Sequence, residues 1–170
     1  YRAGKLDEAK AWLEKAAKAD GPASAEAAHW LCRILLKSGN AKQAAALAQQ
    51  KAKALPEAPF AVNLKLDRAD ALYEITEQRS EALVAYVNFV KDYPQHELAP
   101  QALYGAAFTA LRMGRYDDGQ FQAQRFLGEY PKSDLKADVQ YVAAECNLQL
   151  KKYEAAENLY RELLTQQPKH

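Results

Sequence analysis

The side chains able to carry reaction chemistry are few and scattered. Three histidines, His29, His96 and His170, and two cysteines, Cys32 and Cys146, are the whole stock of imidazole and thiol. His29 and Cys32 stand three apart, which on a helix puts both on one face, as two metal ligands would need. A structural zinc site takes four ligands and a catalytic one usually three, and no further Cys or His is close enough in sequence to complete the set. A Cys–His nucleophile pair lacks an orienting third group in the same way, and a lone Cys at a small-residue position reads as a packed thiol. Gly114-Arg115-Tyr116-Asp117-Asp118-Gly119 holds two glycines, but spaced as a helix–helix turn and not as a phosphate loop. Asp117 and Asp118 at a helix start suit the helix dipole without calcium. The residues therefore predict no catalytic group, no metal and no cofactor: not an enzyme.

Charge and length narrow the classes further. The 170 residues carry 23 Lys+Arg against 22 Asp+Glu, a net charge of +1. That balance excludes a dedicated nucleic-acid binder and a polybasic membrane-surface protein. No apolar run reaches the length of a transmembrane helix. Two cysteines are no disulfide framework. Tyr1-Arg2-Ala3-Gly4 has neither an initiator Met nor an apolar leader, so the chain is expected to begin inside a larger protein.

The elements that position these residues repeat. Prolines recur at Pro22, Pro56, Pro94, Pro131 and Pro168, spaced 34, 38, 37 and 37 apart. Turn-like segments open at Gly4, Gly39, Glu77, Gly114 and Lys151, spaced 35, 38, 37 and 37. Two independent markers thus give one period. Each period holds two helices. Ala102, Leu103, Ala106, Ala107, Ala110 and Leu111 follow the i, i+3, i+4, i+7 pattern of one buried face. Gly114 supplies the stop. A second helix carries Phe121, Phe126 and Leu127 and ends at Tyr130-Pro131, and Ser133-Asp134 offers the next N-cap. The same reading predicts helices over 6–20, 24–38, 40–55, 60–76, 80–93, 99–113, 115–130, 134–151 and 153–167. That is nine helices, or four and a half helix pairs, in an all-α chain read as one domain over 1–170.

Small residues fall where helices must approach closely. Cys32, Asp70, Ala107 and Ala144 precede the turn segments by seven, and Ala44, Ala82, Gly119 and Ala156 follow their starts by five. Leu31, Tyr86, Phe89 and Tyr160 are expected to fill the space between pairs. Asp70 is out of place, since a buried carboxylate needs a partner. Its repeat also lacks the turn glycine and is expected to be the least regular.

On these residues the chain resembles the tetratricopeptide repeat (TPR) family over nearly its full length. The matches are Gly114-x-Tyr116-x-x-Gly119, Tyr153-x-x-Ala156, and Ala82-x-x-x-Tyr86-x-x-Phe89-x-x-x-x-Pro94. Phe-Val-Lys-Asp-Tyr-Pro (89–94) and Phe-Leu-Gly-Glu-Tyr-Pro-Lys-Ser (126–133) resemble a subclass found in bacterial envelope assembly lipoproteins and Tol–Pal accessory proteins. Asp20-Gly21-Pro22 and Ala54-Leu55-Pro56 lack the aromatic before proline.

The resemblance implies a right-handed α-solenoid of antiparallel helix pairs, with the first helix of each pair lining a concave face. Carried onto this chain, that face would present His29 and Arg33, Asp67 and Ala71, Tyr104 and Phe108, and Tyr141 and Glu145. Leu64, Gln101, Arg112 and Asp138 would flank them. The Lys/Asn/Arg clamp by which chaperone-binding TPRs hold two carboxylates is matched at none of these pairs. The expected function is a protein-interaction scaffold for a peptide or partner domain, with a lean to the bacterial envelope. Two other classes stand beside it: a self-association module, and the recruiting arm of an enzyme with its catalytic domain elsewhere. The truncated first pair leaves the apolar side of helix 6–20, including Leu13, open to another chain or to a cover in a longer protein.

Overall fold

The computed structural model describes residues 6–19 and 21–166. The Tyr1–Gly4 start, the first turn marker at Gly4, Asp20, Pro168 and His170 lie outside the described residues. Among those described are nine α-helices and no strand: α1 Leu6–Lys18, α2 Pro22–Lys37, α3 Ala41–Ala54, α4 Ala61–Glu74, α5 Arg79–Asp92, α6 Ala99–Arg112, α7 Tyr116–Glu129, α8 Lys136–Gln149 and α9 Tyr153–Gln166. Each lies within a few residues of its predicted bounds.

The chain forms two compact units, Tyr1–Ala85 and Tyr86–His170, and the division falls inside α5. In the N-terminal unit α2 packs on α1 and α3, and α4 on α3 and α2. In the C-terminal unit α7 packs on α6, and α8 on α7, α6 and α9. A helix with one apolar face must bury it against neighbours, and here each first helix is clasped by the pair before it.

The turns explain the helix ends. Gly39 and Gly114 adopt φ of +74° and +73°, the left-handed geometry that closes a helix at least cost for glycine. Lys151 takes the same role with φ 61°, where a side chain brings strain. Between α4 and α5 there is no such residue. A 3-10 helix, Thr76–Gln78, makes the turn instead, so the glycine-less repeat is the irregular one. The loops after α5 and α7 share a different device. The Leu98 amide donates to His96 Nδ1 at 3.1 Å, and the Leu135 amide donates to Ser133 Oγ at 3.3 Å. His96 is thereby a loop cap. Ser133 serves the loop too: α8 begins at Lys136 with Leu135 at its N-cap and no side-chain cap. The aromatic before proline has a purpose as well, since the Tyr130 hydroxyl donates to the Pro94 carbonyl one repeat earlier, at 3.1 Å.

The close-packed positions are filled as the period requires, with one correction. Cys32, Ala44, Ala82, Ala107 and Ala144 are fully buried, and Ala156 nearly so. At the irregular repeat the position belongs to Ala69 and not to Asp70: Ala69 is fully buried, and the Asp70 side chain reaches the surface. The 3-10 turn adds a residue between the contact position and α5, so counting back from Glu77 lands one too late. Leu31, Tyr86 and Phe89 are buried as fillers. Phe121, read with the apolar residues of α7, is instead 59% exposed.

One core position is polar. Gln140 on α8 lies one 37-residue period after the fully buried Leu103. Its Nε2 donates to Glu162 Oε2 at 3.0 Å, while its buried Oε1 has no partner among the described residues. A buried acceptor left unmade costs about 1–3 kcal/mol. Gln140→Leu should therefore raise the urea midpoint, by roughly 1 kcal/mol of stability after loss of the Glu162 bond, with the denaturant slope unchanged. A lower midpoint would show that the Glu162 contact outweighs the orphaned oxygen.

Candidate functional site

The first helices place the candidate residues in two separate groups, one in each unit. In the N-terminal unit, α2 and α4 bring four charged or titratable groups together. His29 Nδ1 donates to Asp67 Oδ2 at 2.6 Å. Arg33 Nη1 donates to Asp70 Oδ2 at 2.9 Å and stands 4.0 Å from Asp67 Oδ1. The His29 ring also lies against Phe60 and Trp30, with centroids at 5.4 and 4.9 Å. Asp67 is only 2% exposed. Burial pushes its carboxyl above the ordinary 3.8, and the His29 hydrogen bond, the His29 charge and Arg33 oppose that rise. Leu64 and Ala71 are fully buried. The charges on this face are closed on one another.

His29 and Cys32 diverge. His29 points to α4, whereas the Cys32 thiol points to α3 and donates to the Ala44 carbonyl at 3.5 Å. Burial, then the Asp67 charge, drives the Cys32 thiol far above its ordinary range, which removes it as a nucleophile. Burial likewise pushes Cys146 up to about 11. No group of three or more His, Cys, Asp or Glu converges as a metal site among the described residues.

In the C-terminal unit the face is open and aromatic. Tyr104 and Phe108, one turn apart on α6, stack at 5.9 Å. Phe108 and Arg112 from α6 meet Tyr141 and Glu145 from α8 around a cleft of about 350 Å³, completed by Leu111, Tyr116 and Gln149. Tyr141 is 49% exposed and sits edge-on to Tyr160 at 6.4 Å. The Tyr160 hydroxyl donates to Glu145 Oε1 at 2.5 Å, and burial together with that carboxylate holds the phenol protonated well above its usual range. Arg112 is exposed at the end of α6. A second cleft of about 550 Å³, between α8 and α9, is walled by Ala137, Tyr141, Tyr160, Leu163 and Leu164, with Asp138 on its lining. Gln101 is half-buried on the first turn of α6.

Thus Phe108, Arg112, Tyr141 and Glu145 share one cleft, with Tyr104 stacked beside it, while His29, Arg33 and Asp67 form a charge cluster elsewhere. Sequence reasoning missed Tyr116, Gln149, Leu163 and Leu164 as cleft residues. Gln149 lies four after Glu145, so one more step along the same helical row reaches it. Tyr116 was visible as the aromatic of the Gly-x-Tyr turn.

Comparison with known proteins bears on this arrangement. A family model described as tetratricopeptide repeat matches residues 1–61 and 104–170; the stretch between contains the 3-10 turn. No curated protein matches the chain. Several solved structures share the fold. A MamA RS-1 double mutant is 16% identical, with 96% of this chain and 86% of that chain covered at a TM-score of 0.77. The TPR-like repeats of a putative kinesin light chain from Podosopora anserina are 15% identical, covering 94% and 82% at 0.74. A tetratricopeptide repeat protein from Parabacteroides merdae is 18% identical, covering 94% of this chain and 58% of that one at 0.71.

Proposed function

The chain belongs to the tetratricopeptide repeat family, and from that membership we propose that it is a non-catalytic protein-binding module whose C-terminal unit captures a peptide or a segment of a partner protein. The observation that carries this reading is the half-exposed Tyr141 set beside Phe108 and Arg112 in an open cleft on the first helices. Aromatic and Arg side chains dominate binding energy when a partner dehydrates them. Helices hold them in place beforehand, which lowers the ordering cost of association. The N-terminal unit contributes His29, Arg33 and Asp67 on the corresponding helices, and their mutual pairing suits a supporting role.

A partner recovered from source lysate and identified by mass spectrometry provides the assay. Tyr104→Ala and Tyr141→Ala should each weaken its binding by roughly 30-fold, about 2 kcal/mol, with helicity unchanged by circular dichroism. Unchanged affinity in both variants would remove this face from the site. A finer reading places that partner in a bacterial envelope complex, on the strength of the 89–94 and 126–133 signatures; cell fractionation of the source organism tests it. Self-association is a second reading, favoured by Trp12 at 71% exposure on α1, and a concentration-independent monomer mass by light scattering would dismiss it.

A further inference from the structure

Resting on the protein-binding reading above, we propose that the α6–α8 cleft selects an extended segment in which an aliphatic or aromatic side chain accompanies a single acidic one, the apolar group lying against Phe108 and Tyr141 and the carboxylate pairing with Arg112.

The charge pattern points to that occupant. Arg33, Arg68, Arg115, Arg125 and Arg161 are all ion-paired, and Arg79 donates to the Tyr73 carbonyl. Arg112 alone among the described arginines has neither an ion pair nor a hydrogen bond, and it lines the cleft. A guanidinium fork is the side chain best shaped to receive a carboxylate. The opposite wall sets the limit on charge. Glu145 already accepts the Tyr160 hydroxyl on one oxygen, so its negative charge stays in the cleft and repels a second acid or a doubly charged phosphate. One cation facing one anion therefore favours one carboxylate at the Arg112 end. A side-chain carboxylate suits it better than a chain terminus, because the cleft holds no second cation. Its volume, at the low end for a ligand pocket, fits one or two side chains and not a whole helix face. The rest of the lining is apolar or amide: Phe108, Leu111, Tyr116, Tyr141 and Gln149. Contact with such walls supplies affinity, while the Arg112 pair supplies the choice.

The test is a phage-displayed library of random linear peptides selected on the purified chain, followed by fluorescence anisotropy on a synthetic hit and its Glu→Gln or Asp→Asn partner. Selected sequences should combine an apolar residue with one acid, and the amide partner should bind about tenfold more weakly. Arg112→Gln should erase that difference, Arg112→Lys should retain part of it, and Phe108→Ala should weaken both peptides alike. Hits without an acid, or an acid preference that survives Arg112→Gln, overturn the proposal and leave the protein-binding reading standing. Failure to select any peptide, while lysate capture remains sensitive to Tyr141→Ala, also overturns this proposal alone. Loss of both results sinks the two together.

Discussion

His29→Leu should lower the stability of the N-terminal unit by about 3–5 kcal/mol, the usual cost of stripping one partner from a buried charge pair. Asp67 is almost wholly buried and takes its only short side-chain contact from His29 at 2.6 Å; Arg33 stands off at 4.0 Å, committed to Asp70. Without the imidazole the carboxylate faces Arg33 and the bulk of α2 alone. The deficit should depend on pH in a defined sense. Asp67 already titrates above 3.8 in the folded chain, so its contribution is fully present below about pH 3.8 and declines as pH rises through the folded value. Removing the imidazole raises that value further, so the variant should lose more at pH 7 than at pH 4. Arg33 and Asp70 share the cluster and keep their own pair in both forms. His29→Leu combined with Asp67→Val should return most of the stability, since an apolar replacement leaves no charge stranded. Urea melts of the single and double variants decide it. A single variant within about 1 kcal/mol of the parent, or a double variant no better than the single, would show that the pair does not lock α2 to α4.

A side chain at Gly119 should be almost as damaging to the other unit. A Cβ there would stand 2.7 Å from Cys146 Sγ, 3.3 Å from the Ala107 carbonyl oxygen and 3.3 Å from the Leu111 amide nitrogen. Glycine therefore lets α7 settle against the backbone of α6 and the thiol of α8 at once. Gly119→Leu should cost about 3 kcal/mol or more by overpacking. Gly119→Ala should cost less, roughly 1–2 kcal/mol, because alanine favours the helix by nearly 1 kcal/mol. Cys146→Ala removes the nearest of the three clashing atoms, so it should rescue Gly119→Ala in part and should not rescue Gly119→Leu. Additive losses for Gly119→Ala and Cys146→Ala, measured as a double-mutant cycle, would mean that the backbone of α6 sets the limit and not the thiol.

Much of this architecture is written locally in the chain. Proline and glycine act through the backbone itself, so helix ends near Gly39, Gly114, Tyr93-Pro94 and Tyr130-Pro131 could be read without knowing any neighbour. The small residues at Cys32, Ala107, Ala144 and Gly119 were legible because close approach leaves room for nothing larger. The exchange of Asp67 and Asp70 shows where local reading ends. The Thr76–Gln78 turn displaces the register by one residue, and one residue on a helix is a rotation of about 100°. That rotation decides which carboxylate is buried and which meets Arg33 at the surface. Phe121 follows the same logic, for five residues before Phe126 is a rotation of about 140° off the buried stripe. The aromatic row at Tyr104, Phe108 and Tyr141 was visible as a spacing. That it stands half open was not, because openness depends on what α7 and α9 leave uncovered. The His29–Asp67 and Arg33–Asp70 bonds join residues 38 and 37 apart, and a period alone does not say which charges along it will meet.

The two thiols have a use that follows from their burial. Cys32 lies in one compact unit and Cys146 in the other, each sealed in a helix–helix seam. Neither should react with an alkylating reagent until its own seam parts, since a shielded thiol reports opening and little else. Pulsed labelling with mass detection would therefore time the breathing of each half of the chain separately, with no engineered probe. Equal labelling rates would reveal one cooperative transition, and unequal rates would rank the halves by their resistance to opening.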